Sequence, residues 1–164
     1  MSEIVIREAG PEDAADIAAI HEAAVTGELG RGQYSEAQID AWAHARTLSR
    51  LRAQIQTRRF FIAEDPSGPL AYAQLDLDTA AVRSLYVVPT HRRRGLGRRL
   101  AQTTFAAAND AGLRRLELDS SLNAVAFYEA LGFARIADVE HEFRSGICMS
   151  CVRMGRNLDG ASGG

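Results

Sequence analysis

The chain has 164 residues, enough for one domain with one sizeable core, and its 46% hydrophobic and 24% charged content is that of a globular protein and argues against a disordered chain. A formal net charge of −2 argues against a dedicated nucleic-acid binder, and all 19 basic residues are arginine, which removes Schiff-base and P-loop lysine chemistry. No apolar run approaches the ~20 residues that span a bilayer, so no membrane partner is expected. Residues 4–7 read as a first strand, and the charged N-terminus lacks the apolar stretch of a secretion signal, so a cytoplasmic location is expected.

Pro11, Glu12 and Asp13 then open a helix, since proline suits the first helical position and acids suit the positive end of the helix dipole. Its apolar stripe is Ile17, Ile20 and Ala24, and a loop with Gly27, Gly30 and Gly32 follows. Ser35 and Gln38 form a capping-box pattern ahead of a helix carrying Ile39 and Trp42, and Leu48, Leu51 and Ile55 predict a further helix. Residues 59–63 and 70–75, joined by the turn 66–69, predict a hairpin. Residues 81–88 form a fourth strand ending at Pro89. Leu96, Leu100, Thr104, Ala107 and Ala111 repeat at helical spacing up to Gly112. Leu116 and Leu118 mark a fifth strand, residues 123–131 a short helix stopped by Gly132, and residues 134–154 two strands around Ser145 and Gly146.

The order is strand, two or three helices, three strands, helix, strand, helix, two strands. This is an α/β (α+β) arrangement in which the hairpins are antiparallel and the strand-helix-strand unit from 81 to 120 supplies one parallel pair. A single domain over residues 1–156 and a loose, glycine-rich tail over 157–164 are expected.

Cys148 and Cys151 form a Cys-x-x-Cys without the second pair that a zinc site needs, so no metal is expected. In a strand, side chains three apart point to opposite faces. Buried structural cysteines are the favoured reading, with a redox pair as the alternative.

Between Pro89 and Leu100 stand five arginines and two glycines, on a turn from the fourth strand to a helix. Unsatisfied N–H groups and the helix dipole both favour an anion there, and glycine lets a ligand approach the main chain. Residues 92–97 therefore read as an anion site of pyrophosphate type, whereas the side chains of Arg98, Arg99, Arg114 and Arg115 read as solvated.

Arg92-x-x-Gly95-x-Gly97, preceded by the apolar residues 85–88 and Pro89, resembles the acetyl-CoA signature of the GNAT superfamily of N-acetyltransferases. A later block, residues 123–133 with Tyr128 and Gly132-Phe133 at its end, is similar to that family's second motif. The resemblance covers residues ~4 to ~155. It implies the GNAT fold: a mixed sheet of about seven strands, splayed between strands four and five, with about four helices.

The resemblance also implies an acetyl-CoA-dependent N-acetyltransferase, in which a neutral primary amine of a small molecule or peptide attacks the thioester directly. The main chain of Leu85, Tyr86 and Val87 would pair with the pantetheine arm. N–H groups of Arg93, Arg94, Gly95, Leu96, Gly97 and Arg98, beside Arg92, would hold the pyrophosphate, and Asn123 and Phe127 would line the far wall. Several relatives place the asparagine seven residues before the tyrosine, where this chain has Ser121, so either Ser121 or Asn123 makes that contact. Tyr128 is where the family carries the acid for the leaving thiolate.

The family's usual glutamate, early in strand four, is absent from residues 81–84. Asp76, Asp78, Glu117 and Asp119 are the candidate replacement bases, of which Glu117 and Asp76 are favoured. Acceptor specificity is expected from the first helices, with Tyr34, Glu28 and Trp42 leading a set that includes His21, Glu22 and His44; the two glutamates would suit a cationic acceptor. The alternative is a non-catalytic acetyl-CoA sensor of the same fold. Homodimers are frequent among similar proteins, and no nucleic-acid partner is expected.

Overall fold

The computed structural model describes residues 3–29 and 32–158, with Glu28 and Leu29 by backbone alone. Strands β1 (Val5–Glu8), β2 (Arg59–Asp65), β3 (Gly68–Asp76), β4 (Ala81–Val87), β5 (Arg115–Ser121), β6 (Ala134–Glu142) and β7 (Cys148–Asn157) form one sheet in the order β1-β2-β3-β4-β5-β7-β6. Every pairing is antiparallel except β4 with β5. The helices are α1 (Ala14–Ala24), α2 (Glu36–Ala43), α3 (Leu48–Thr57), α4 (Leu96–Asp110) and α5 (Val125–Ala130). The helix expected from Leu48, Leu51 and Ile55 is separate from α2, and Thr47 caps it by accepting the Arg50 N–H.

Short-range chemistry sets the element ends. A short 3₁₀ turn over Pro11–Asp13 precedes α1, and Asp13 ties it back to β1: its carboxylate accepts the Gly10 N–H at 2.8 Å and both arms of Arg7 at 2.9 Å. The capping box forms as expected, with Ser35 Oγ accepting the Gln38 N–H at 3.1 Å and Gln38 Oε1 accepting the Ser35 N–H at 2.8 Å. At the other end of the chain, β7 runs through Asn157 and Leu158 N–H bonds to Arg114 O at 2.8 Å. Sheet pairing with β5 thus extends past the expected start of the tail, and residues 159–164 lie outside the described set.

Strand periodicity divides the core between the two faces of the sheet. Phe61, Ala63, Ala73 and Leu75 face α4, through Leu96, Leu100 and Phe105. Phe60, Ile62 and Tyr72 face α1 and α3, through Ile17, Ile20, Leu51 and Ile55. A third cluster joins Trp42 of α2 to Met149 and Cys151 of β7.

Two irregularities in the middle of the sheet create a site. The β3–β4 register steps from Leu75↔Val82 to Gln74↔Ser84, leaving Arg83 as the extra residue of a bulge. Val82 and Leu85 therefore both face α4 although they are three apart, while Ser84 and Tyr86 turn to the opposite face. In addition, β4 and β5 share a single register pair, Ala81↔Glu117, after which β5 follows β7 and the edge of β4 is left without a strand partner.

Candidate active site

The diverging strands open a cleft of about 1000 Å³. Its walls include Ser84, Leu85 and Tyr86 of β4, Glu117 and Ser121 of β5, and Tyr128 of α5. A strand edge with free N–H and C=O groups can take an extended, amide-bearing ligand as an extra strand.

Beyond the end of β4 the chain passes through Pro89–His91 to Gly95, the N-cap of α4. Gly95 has φ 77°, in the left-handed region, so the turn requires its freedom there. Arg93 also adopts positive φ, at 62°. The first helical bond of α4 comes from Arg99 N–H to Gly95 O at 3.1 Å. The N–H groups of Leu96, Gly97 and Arg98 are thus the orphan donors of a helix start, aimed where the dipole is positive. A Cβ on Gly97 would lie 3.3 Å from Phe127, so glycine permits α4 and α5 to meet there.

Tyr128 is 8% exposed, and burial pushes its hydroxyl above the ordinary tyrosine value. It stays protonated at neutral pH and can donate into the cleft. Five residues earlier in the chain, Asn123 Oδ1 is buried with no partner among the described residues.

The comparisons with known proteins bear on this arrangement directly. A profile of the acetyltransferase (GNAT) domain matches residues 31–154. This chain belongs to the GNAT acetyltransferase family. Among curated relatives, it is 31% identical over 109 residues to a thialysine N-epsilon-acetyltransferase of Caenorhabditis elegans, covering 59% of this chain and 68% of that protein. It is 36% identical over 74 residues to the [ribosomal protein bS18]-alanine N-acetyltransferase of Salmonella typhimurium, covering 43% of this chain and 50% of that one. Among solved structures, a GCN5-related N-acetyltransferase from Rhodopseudomonas palustris superposes with TM-score 0.88 at 29% identity, covering 96% of this chain and 98% of the other. The PaiA N-acetyltransferase from Thermoplasma acidophilum, in complex with coenzyme A, superposes with TM-score 0.77 at 19% identity, covering 94% and 99%.

In this N-acetyltransferase the expected cofactor residues divide by what their side chains do. Leu85 and Val87 pack on the apolar layer under α4, Leu96 is buried in it, and Tyr86 turns to the other face, where its hydroxyl accepts from Trp42 Nε1 at 2.9 Å. What these four can offer a ligand is main chain. Arg92 is turned away from the loop, and its Nη2 donates to Ala24 O at 2.9 Å, capping α1. Arg93, Arg94 and Arg98 are exposed.

The expected bases separate clearly. Glu117 lines the cleft and faces Arg115 at 3.4 Å. Asp76 does not line it, and this corrects its assignment. Its Oδ1 accepts the N–H groups of Asp78 and Thr79 at 3.1 and 3.4 Å, while Oδ2 faces Arg58 and Arg83 at 3.5 and 3.6 Å. Burial by itself raises the Asp76 carboxyl, but the Thr79 hydrogen bonds and Arg58 outweigh it and hold the group below its ordinary value, which makes a poor base. Asp119 is committed to Arg153, at 2.9 and 3.2 Å, and Asp78 is exposed beside the turn.

On the acceptor side, Tyr34 does not line the cleft, a second correction. Its hydroxyl donates to Ser150 O at 2.6 Å and accepts the Leu122 N–H at 2.9 Å, pinning the start of α2 to β7 and to the end of β5. Trp42 is buried and contributes a wall. The side chain of Glu28 lies outside the described residues, and exposed Glu22 faces His44 at 3.5 Å.

His21 is 3% exposed. Its Nε2 lies 2.7 Å from Trp42 O, which can only accept, so Nε2 carries the proton and Nδ1 accepts from Tyr72 at 3.3 Å. Burial lowers its pKa to about 4. Cys151 is buried but Cys148 is exposed, which corrects the expectation of two buried cysteines: three residues apart in a strand they take opposite faces, and both are free thiols.

Sequence reasoning passed over Arg46, Gln74 and Ser84, all of which line the cleft. The available signal was Gln74 itself, the lone amide in the apolar run 70–75.

Proposed function

We propose that this chain transfers the acetyl group of acetyl-CoA to a primary amine of a small molecule or peptide, with Tyr128 as the acid and Glu117 as the base. The observation that carries this reading is the splay of β4 from β5, which opens a cleft lined by Tyr128, while β4 leads along the chain to the Gly95 turn. The residues present fit the cosubstrate. The free β4 edge at Leu85, Tyr86 and Val87 suits the amides of the pantetheine arm. The N–H groups from Arg93 to Arg98, with the orphan donors of the helix start at Leu96, Gly97 and Arg98, suit a pyrophosphate. The unpartnered Asn123 Oδ1 supplies an acceptor on the far wall, favouring Asn123 over Ser121, and Phe127 closes that wall. Coenzyme A in a solved structure of the same fold supports the same ligand.

Acetyl-CoA supplies the acyl group and a thiolate leaving group, and the chain manages the protons. Glu117, directly or through a water, takes the proton that the amine nitrogen loses as its bond to the acetyl carbon forms. Glu117 stands across from Ala81, at the start of β4, where many family members place their glutamate. It brings a carboxylate to the same end of the cleft from the neighbouring strand. Tyr128 gives its hydrogen to the sulfur as the carbon–sulfur bond breaks.

A cytoplasmic, homodimeric enzyme that binds neither nucleic acid nor membrane belongs to the same proposal. Its support is the net charge of −2, the absence of a helix among the described residues long and apolar enough to cross a membrane, and the exposed edge strand β6 with Ile136 on its surface.

The test is acetyl-CoA binding by calorimetry, followed by thiol release over an amine panel, with wild type beside Gly95→Trp. Wild type is expected to bind and to release thiol with some amines. Gly95→Trp puts a bulky side chain at positive φ among the orphan N–H groups and should weaken binding about 100-fold or more while leaving the circular dichroism unchanged. Binding without thiol release from any amine overturns catalysis in favour of a sensor.

A further inference from the structure

One buried polar cluster in the cleft has no task in the reaction just described. Arg46, in the link between α2 and α3, reaches across to β4, where its guanidinium donates to the Ser84 hydroxyl. Its other arm donates to Gln54 Oε1 at 3.0 Å. Ser84 accepts from a group that can only donate, so its own proton goes to Gln74 Oε1, at 3.5 Å. In this arrangement Nε2 is the remaining end of the Gln74 amide. Gln74 is 0% exposed, and Nε2 is buried with no partner.

Two deficits coincide here. Arg46 is always cationic, half-buried and bonded only to neutral groups, and no carboxylate lies within ion-pair distance of it among the described residues. Of the other arginines lining the cleft, Arg58 and Arg83 face Asp76 and Arg153 has Asp119, while Arg50 and Arg144 have no ion pair among the described residues but are exposed to water. A partly buried guanidinium without an anion and a buried amide without an acceptor both call for an oxygen, the first for a charged one. A carboxylate entering the cleft pairs one oxygen with the fork of Arg46, and a shift of the Gln74 side chain toward the cleft brings Nε2 to the other.

Position supplies the rest. Gln74 and Ser84 are direct cross-strand partners, and Leu85, the first residue proposed to hold the thioester arm, follows Ser84. Strand rise places the cluster about 3–7 Å along β4 from that arm. This is the reach of a small amino acid, and it is too short for the distant C-terminus of a peptide.

We propose that Arg46, Ser84 and Gln74 form a carboxylate-binding corner, and that the acceptor is a small molecule carrying both the reacting primary amine and a carboxylate. The proposal rests on the cleft being the acceptor site of the transferase. It replaces the cationic acceptor that Glu22 and Glu28 suggested.

The test is thiol release with a panel of α-, β- and γ-amino acids, each beside its own carboxamide, for wild type, Arg46→Met, Arg46→Lys and Ser84→Ala. Wild type should favour acids over carboxamides in kcat/KM by roughly 10- to 100-fold, the scale of one charge-assisted pair. Arg46→Met should erase that ratio, chiefly through KM. Arg46→Lys should restore part of it, and Ser84→Ala should lower it severalfold. Calorimetric affinity for acetyl-CoA should stay as in wild type, which separates this from a folding defect. Preference for carboxamides, or a ratio indifferent to Arg46→Met, overturns the corner and leaves the transferase intact. Should no amine release thiol, the transferase reading fails by itself, and the same amino acids are titrated into the CoA-bound protein. Binding weakened about tenfold by Arg46→Met upholds the corner, and no binding overturns it.

Discussion

The Gly95 turn at the start of α4 and the cleft between β4 and β5 are built from different materials. The α4 end is main chain: a left-handed Gly95, a run of orphan N–H groups and a close approach at Gly97, with Arg92 turned away to cap α1. The cleft is side chain: Arg46 from a link, Gln74 and Ser84 from two strands, Trp42 from a helix and Glu117 from a third strand. A main-chain site depends on backbone shape and tolerates exchange of exposed side chains. A side-chain site depends on each group and on the packing that aims it. The first suits a ligand common to the family, the second an acceptor peculiar to this chain.

Tyr128 lines the cleft and carries the proposed acid, and its removal should have the largest effect. Tyr128→Phe keeps the packing against Phe127 and Phe133 and deletes only the donor. The expected loss is about 10²–10⁴ in kcat with acetyl-CoA affinity unchanged, read by thiol release and calorimetry. A loss of affinity instead would move Tyr128 to the cosubstrate side of the comparison.

Next comes the acid sensitivity of the cleft. His21 is neutral when folded, with a pKa of about 4 against the model-peptide 6.5. A cationic group with a depressed folded pKa binds more protons in the unfolded chain. Its stabilising effect is therefore complete above pH 6.5 and is lost as pH falls to 4, by roughly 3 kcal/mol. Denaturant melts of wild type and His21→Gln across that window should show the flatter dependence in the variant. Parallel curves would mean that His21 does not hold the Trp42 wall as the geometry indicates.

Arginine truncations sharpen the contrast at the α4 end. Arg92→Ala should cost about 1 kcal/mol of stability, because it frees the Ala24 carbonyl at the end of α1. Arg94 is exposed and makes no hydrogen bond to a described residue, so Arg94→Ala should leave stability unchanged and lower acetyl-CoA affinity less than about tenfold. Abolished binding in Arg94→Ala would show that side chains, rather than the main chain, build that end.

The smallest effect concerns the thiols. Burial pushes the Cys151 thiol up to about 11, and Cys148 is exposed. One thiol per native chain should react with a disulfide reagent at neutral pH. Two reacting at equal rates would break the assignment of Cys151 to the interior.

By itself the sequence determined the features whose causes lie within a few residues. Ser35 and Gln38 cap α2 because they stand one helical turn apart. Gly112 and Gly132 follow the ends of α4 and α5 at positive φ. The strand, proline and Gly95-x-Gly97 turn are likewise local, as is the placing of Cys148 and Cys151 on opposite faces. These were legible because helix ends, turns and strand parity are set by neighbours in the chain. Only the tertiary structure decided what long-range pairing controls. One extra residue at Arg83 reverses strand parity, putting Ser84 beside Gln74 and Arg46. Asp76 looked as free as Glu117 until its turn and two arginines claimed it, and Tyr34 looked like a substrate contact until Ser150 and Leu122 took both sides of its hydroxyl. A polar side chain is available for function only when nothing nearer satisfies it, and what lies near is settled by register and packing across the whole sheet.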